Sequence, residues 1–186
     1  MKKLLLIISD SHIPERAEEI DEHIINFIRS RFYDVVVHAG DLVEVEVLDL
    51  IKSFGSIQYV VQGNMDYLNL PEEEIFEVYG IKIGVIHGDQ VRPRGNINAL
   101  STIAKNMGVH ILISGHTHSP FIVFDPSGIL HVNPGSITGV WSGSGGSMTP
   151  SFVEMEIYES KLVHLKLYEL VLGNLTLKRE ERFKFV

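Results

Sequence analysis

Cysteine is absent from all 186 residues. Disulfides and thiolate metal sites are thereby excluded, so any metal must be held by imidazole, carboxylate or amide groups. Long apolar runs are missing too. The longest spans residues 4–8, LLLII, against the roughly 20 residues needed to cross a bilayer. Lys2 and Lys3 ahead of that run imitate a secretory signal, but the run is too short and ends at Ser9-Asp10 without a small-residue cleavage site. It reads as a first strand, and the protein is expected to be cytosolic. Excess positive charge is also lacking: 16 Lys and Arg stand against 24 Asp and Glu, a net charge of −8. Stable binding to nucleic-acid backbones or to a membrane is not expected from such a chain. A small phosphorylated substrate stays compatible, because bound divalent cations would reverse the local field. No internal repeat or breaking linker appears, so residues 1–186 are expected to form one domain with a substantial core.

What is present is a succession of short, β-branched-rich runs at residues 4–8, 35–38, 57–61, 81–86, 109–113, 121–124 and 129–132. Ala17, Ile20, Ile24, Phe27 and Ile28 recur at helical spacing, predicting a helix over residues 15–32 after Pro14. Residues 45–54 and 96–107 read as two further helices. Strands alternating with helices imply an α/β layered fold. Near the end the pattern changes to SFVEMEI and LVHLKLYEL, joined by Tyr158-Glu159-Ser160-Lys161, which is a hairpin and implies an antiparallel part. Residues 142–150 read as a flexible loop.

Five polar clusters each follow one of these runs: Asp10-Ser11-His12, Gly40-Asp41, Gly63-Asn64-Met65-Asp66, His87-Gly88 and Gly115-His116-Thr117-His118. One such cluster would be an ordinary capping turn. Five sets of metal-competent side chains at strand exits, where α/β sheets gather ligand sites, point to chemistry. Two divalent ions clamping a phosphoryl group need a bridging carboxylate, mixed oxygen and imidazole ligands, and glycines that let the backbone come close. The candidates here are Asp10, Asp41, Asn64, His12, His87, His116 and His118.

The ordered series D10-x-H12, G40-D41, G63-N64, H87 and G115-H116-x-H118 resembles the calcineurin-like metallophosphoesterases, in particular their small bacterial and archaeal phosphodiesterase branch, which is related to a non-catalytic retromer subunit. The resemblance covers residues 1 to about 168. It implies a four-layer α/β/β/α sandwich of two mixed sheets flanked by helices. It also implies two divalent ions, Mn²⁺ first with Ni²⁺, Zn²⁺ or Fe as alternatives. Asp10, His12, Asp41 and His118 would hold one ion, and Asp41 would bridge to a second held by Asn64, His87 and His116. The implied activity is phosphoester hydrolysis, diesters foremost, with a metal-bridging hydroxide as nucleophile and Asp41, Asn64 and His116 as catalytic members. The rival reading is a protein-binding scaffold of the same fold. The implied partner is a small phosphoester, and homo-oligomer formation is left open.

One departure stands out. Many relatives carry His directly after Gly-Asn, where it is thought to protonate the leaving group; here the residue is Met65, which has no proton to give. Among other residues, Arg92 and Arg94 are candidates for a substrate phosphate. Asp66 either orients a ligand such as His12 or caps a turn. His38 reads as a packed, hydrogen-bonded core histidine, and His23, His110, His131 and His164 as structural or exposed. Asn133-Pro134-Gly135-Ser136 is expected to shape the floor of the site. The tail, LKREERFKFV, is either a frayed end or a partner contact.

Overall fold

The computed structural model describes residues 1–186 as eleven strands and three helices in two mixed sheets. The sheet of six runs β11 (Asn174–Lys184), β10 (Leu162–Val171), β9 (Ser151–Tyr158), β1 (Lys2–Ile8), β2 (Tyr33–His38), β3 (Gly55–Val60). In it β1, β2 and β3 are parallel, while β9, β10 and β11 pair antiparallel. The sheet of five runs β4 (Glu73–Val78), β5 (Ile81–Ile86), β6 (Ile111–Ser114), β8 (Leu130–Asn133), β7 (Phe121–Phe124), with β5, β6 and β8 parallel. No helix is long and apolar enough to cross a membrane.

The continuous apolar stretch of β1 follows from burial on both faces. Leu5 and Ile7 join Val35, Val37, Ile83, Val85, Ile111 and Ile113 in the core between the sheets. Leu6 and Ile8 point the other way, onto Ile24 and Ile28 of α1 (Glu22–Arg29) and Val47 and Ile51 of α2 (Val45–Lys52). Ile86 and Leu112 meet Leu100 and Ala104 of α3 (Ile97–Met107) on the opposite side. The layers are therefore helix, sheet, sheet, helix, as expected.

Beyond shifts of a few residues at element ends, three features differ from the sequence reading. The helix over 15–32 is confined to α1, whose N-cap is Asp21, its carboxylate accepting from the His23 N–H. Residues ahead of it form a loop fastened to the sheet edge through an Ile13–Val43 bridge and Arg16 N–H bonded to the His12 carbonyl. The tail is neither frayed nor free, but is paired along β10 as β11. β4 was not foreseen, because EEIFEV carries three glutamates in six residues and sits at a sheet edge.

Candidate metal centre

The parallel strands of both sheets end on one side, and their exits meet across the sandwich. The His116 N–H donates to Asp10 Oδ2 (3.0 Å), and His87 Nδ1 lies 2.8 Å from the Ala39 carbonyl. Two of the exits approach so closely that only glycine fits. A Cβ at Gly115 would overlap Ser9 Oγ, and one at Gly63 would overlap the Asp41 carboxylate. Asp10, His12, Asp41, His116 and His118 all have φ between 47° and 64°, the left-handed region that side chains avoid. Such strain, roughly 1–3 kcal/mol per residue, persists where surrounding structure enforces it and clusters at functional sites.

Both aspartates show the same division of labour. Asp10 Oδ2 accepts from Ser9 Oγ and the His116 N–H, whereas its buried Oδ1 has no hydrogen-bond partner and lies 3.2 Å from His118 Nε2. Asp41 Oδ1 accepts from the Met65 N–H at 2.8 Å. Its Oδ2 sits 3.3 Å from His12 Nε2 and 3.4 Å from His87 Nε2, between the two halves of the centre.

The histidines are oriented from behind. Nδ1 of His87 donates to the Ala39 carbonyl and Nδ1 of His118 to the Val140 carbonyl, each at 2.8 Å. In the neutral ring each Nε2 then presents a lone pair to the centre. His12 Nε2 is 3.2 Å from His118 Nε2, and His87 Nε2 is 3.2 Å from both His116 Nδ1 and Asn64 Oδ1. His116 Nε2 and His12 Nδ1 are buried without a partner. At the centre itself Asp10 Oδ1 has no donor and Asp41 Oδ2 faces two ring nitrogens; such a convergence of oxygen and nitrogen lone pairs suits a divalent cation. Two groups fall within ligating reach: Asp10, His12, Asp41 and His118, and Asp41, His87 and His116, with Asp41 common to both. Asn64 joins the second through its contact with His87.

The electrostatics of the metal-free centre say the same. Burial pushes His12 and His116 down to about 4, with the charges of Arg16 and Arg94 adding to the effect on His12 and His116 respectively. Burial also works against a charged His87, but the Asp41 carboxylate and the charge of Asp10 prevail and raise it to about 9. Burial opposes ionisation of Asp41 as well; His87 and the Met65 N–H outweigh it and bring it down to about 2. The carboxylates that favour a positive charge on His87 would equally favour a cation beside it.

Around the centre, Asp66 accepts from the N–H groups of Asp41, Val43 and Gly63 at 2.7–2.9 Å. It organises the Asp41 loop and makes no hydrogen bond to His12. His38 is buried between Ser11 Oγ and the Gly40 N–H, and burial lowers it to about 3, so it is a neutral core histidine. Asn133 and Ser136 brace the floor by donating to the Gly115 and Asp10 carbonyls. Arg94 lines the opening of the centre and bonds the His116 carbonyl. Arg92 turns onto its own loop, donating to the Asp89 and Val91 carbonyls. Arg16 also lines the opening, a residue the sequence reading placed in a helix. No local motif marks it, since its partner Trp141 is distant in the chain.

The calcineurin-like phosphoesterase superfamily domain matches residues 3–157. This chain belongs to that superfamily. A probable metallophosphoesterase of Methanocaldococcus jannaschii is 48% identical over 135 residues, covering 73% of this chain and 68% of that one. Among solved structures of this phosphoesterase-like fold, Vps29 of Cryptosporidium parvum superimposes with a TM-score of 0.93 at 27% identity, covering 99% of each chain. Vps29 of Entamoeba histolytica complexed with Zn²⁺ gives 0.87 at 32% identity over 97% of this chain and 98% of that one.

Proposed function

We propose that this protein is a divalent-metal-dependent phosphoesterase acting on phosphodiesters, with two ions of which Mn²⁺ is the first choice. The observation that carries the reading is Asp41. One of its oxygens is fastened by the Met65 N–H, and the other stands between His12 and His87, one from each ligand group. A pair of bound ions would neutralise phosphoryl charge and supply an activated water. The chain's own part is positioning. Asp10, His12, Asp41 and His118 would hold one ion; Asp41, Asn64, His87 and His116 the other. Asp66 holds the Asp41 loop, and the carbonyls of Ala39 and Val140 hold the tautomers of His87 and His118. Asn64 and His116 would face the non-bridging phosphoryl oxygens.

Room for a second ester arm supports the diester preference. A polar cavity of about 410 Å³, lined by Gln62, Asn64, Glu72, His87, Asp89 and Gln90 among others, adjoins the centre at Asn64 and His87. No lysine or arginine lines it, so it suits an uncharged ester arm better than a second phosphate.

The extent of the likeness to Vps29 favours a second reading, a protein-binding scaffold on the same fold. Against it stands the convergence of seven metal-competent side chains around Asp41. Hydrolysis of bis-(p-nitrophenyl) phosphate with and without Mn²⁺ separates the two, with the metal content of the purified protein measured alongside. About two ions per chain and metal-dependent turnover are expected. A chain that binds no divalent metal and hydrolyses nothing would leave the scaffold.

A further inference from the structure

The rim of the centre carries two guanidinium groups and a methionine. Arg16, Met65 and Arg94 line the same small opening, about 30 Å³, as Asp41, Asn64, His116 and His118. Arg16 is held by Trp141: its Nη1 donates to the Trp141 carbonyl at 3.0 Å, and its guanidinium lies 4.1 Å from the ring centroid. Arg94 is held by the His116 carbonyl at 3.3 Å, and the loop at Gly143 closes on its other side, where a Cβ would come within 3.1 Å of Nη2. Each anchorage uses one N–H and leaves others free. Neither arginine forms an ion pair, although the chain is acidic; the arginines that do are Arg31, Arg179 and Arg182. Two pre-positioned cations without carboxylates, facing one opening, point to an anion that arrives.

The phosphoryl group itself is already provided for by the ligand set. What the centre lacks is a group to help the leaving oxygen, because Met65 has no proton to give. A guanidinium does not surrender its proton at ordinary pH, but it donates charge-assisted hydrogen bonds to a developing oxyanion. We propose that Arg16 and Arg94 are catalytic residues that stabilise the departing oxygen, in place of a general acid beside Asn64. As the phosphorus–oxygen bond to water forms, the bond to the leaving group breaks and its electron pair goes to the departing oxygen. The two guanidiniums hold that alkoxide, and the proton lost by the attacking water returns to it through solvent. The inference rests on the phosphoesterase reading and adds the residues that handle the leaving group.

The test is a series of methyl phosphate diesters with leaving groups from nitrophenol to alkyl alcohols, given to the Mn²⁺-loaded protein. Arg94→Met and Arg16→Met should slow alkyl esters on the order of 10²-fold each. The loss on nitrophenyl esters, which need little assistance, should stay under about 5-fold, so that log kcat falls more steeply with leaving-group pKa. Arg94→Lys, which keeps the charge, should recover part of the slope. Bound-metal stoichiometry and melting temperature, measured alongside, should match wild type; should Arg94→Met fail to fold, Arg16→Met and Arg94→Lys carry the test. Equal losses on every ester, or none, would overturn the proposal while leaving the phosphoesterase reading intact. Wild-type protein inert towards the nitrophenyl diester would overturn both.

Discussion

Asp41 and Asp66 form one device at the scale of single residues. Asp41 offers Oδ2 to both halves of the centre, while Asp66 satisfies three backbone N–H groups around it. Asparagine at 41 is nearly isosteric but neutral, and a neutral amide bridges two cations poorly. Asp41→Asn should therefore keep a native circular dichroism spectrum while bound metal falls from about two ions to one or none and turnover nearly vanishes. Wild-type turnover by this variant would remove Asp41 from the site. Asp66→Ala leaves three N–H groups in a buried loop without an acceptor. The expected cost is about 2–4 kcal/mol by denaturant titration, given roughly 1–3 kcal/mol for each unsatisfied buried group and partial rescue by water. Metal affinity should fall by about 10–100-fold, as for other groups that orient ligands from behind. Calorimetric affinity equal to wild type would confine Asp66 to folding alone.

At the scale of elements, β11 is the part whose composition most misleads. It is charged from Lys178 to Arg182, yet it pairs with β10 throughout, and His164 of β10 sits between Glu156 of β9 and Glu180 of β11 at 3.1 and 2.6 Å. Beyond the ladder, Phe183 stacks on Phe124 of β7, with centroids 5.4 Å apart and planes 14° from parallel. A strand at the edge of one sheet thus closes the sandwich onto the edge of the other. Phe183 is only half buried, so Phe183→Ala should cost roughly 1–2 kcal/mol, about half of a fully buried Phe→Ala. Metal stoichiometry should stay at the wild-type value, since β11 contributes nothing to the centre. A denaturation midpoint unmoved by the change would show that this closure adds no stability.

For the whole molecule, acid stability follows from how many imidazoles the fold keeps neutral. In the metal-free protein burial lowers His12 and His116 to about 4 and His38 to about 3. An unfolded histidine titrates near about 6.5, so below that pH the unfolded chain takes up protons that the fold refuses. Stability is lost from about pH 6.5 down to the folded values. His87, raised to about 9, acts oppositely: its contribution is complete below about 6.5 and disappears as pH rises through 9. Asp41, lowered to about 2, still contributes at pH 5 and is lost only in stronger acid. Three groups outweigh one, and the metal-free protein should melt at a lower temperature at pH 5 than at pH 7. Saturating Mn²⁺ should raise the melting temperature at pH 7 and raise it less at pH 5, because protons compete for the same nitrogens. A higher melting temperature at pH 5 in the absence of metal would contradict this account.

Much of this was legible along the chain, because it depended on local order. The absence of cysteine restricted any centre to nitrogen and oxygen donors, and unbroken apolar runs such as residues 4–8 of β1 and 35–37 of β2 announced strands covered on both faces. The polar clusters marked where those strands end. Other features depended on what distant segments do to one another. β4 and β11 face solvent at sheet edges, where only some positions need be apolar, so their charges hid them. The helix expected from residue 15 begins at 22, because the preceding loop gains more from its bridge to Val43 and its bonds at the sheet edge than from another two turns of helix. That loop puts Arg16 on Trp141, a contact between residues 125 apart that no local pattern contains. The left-handed backbone of five candidate ligands, and the division of each aspartate into a fastened and a free oxygen, likewise exist only when the exits of both sheets are pressed together. Residue types and their order specify which atoms can bind a cation; the packing of two sheets decides which lone pairs are left with nothing else to bind.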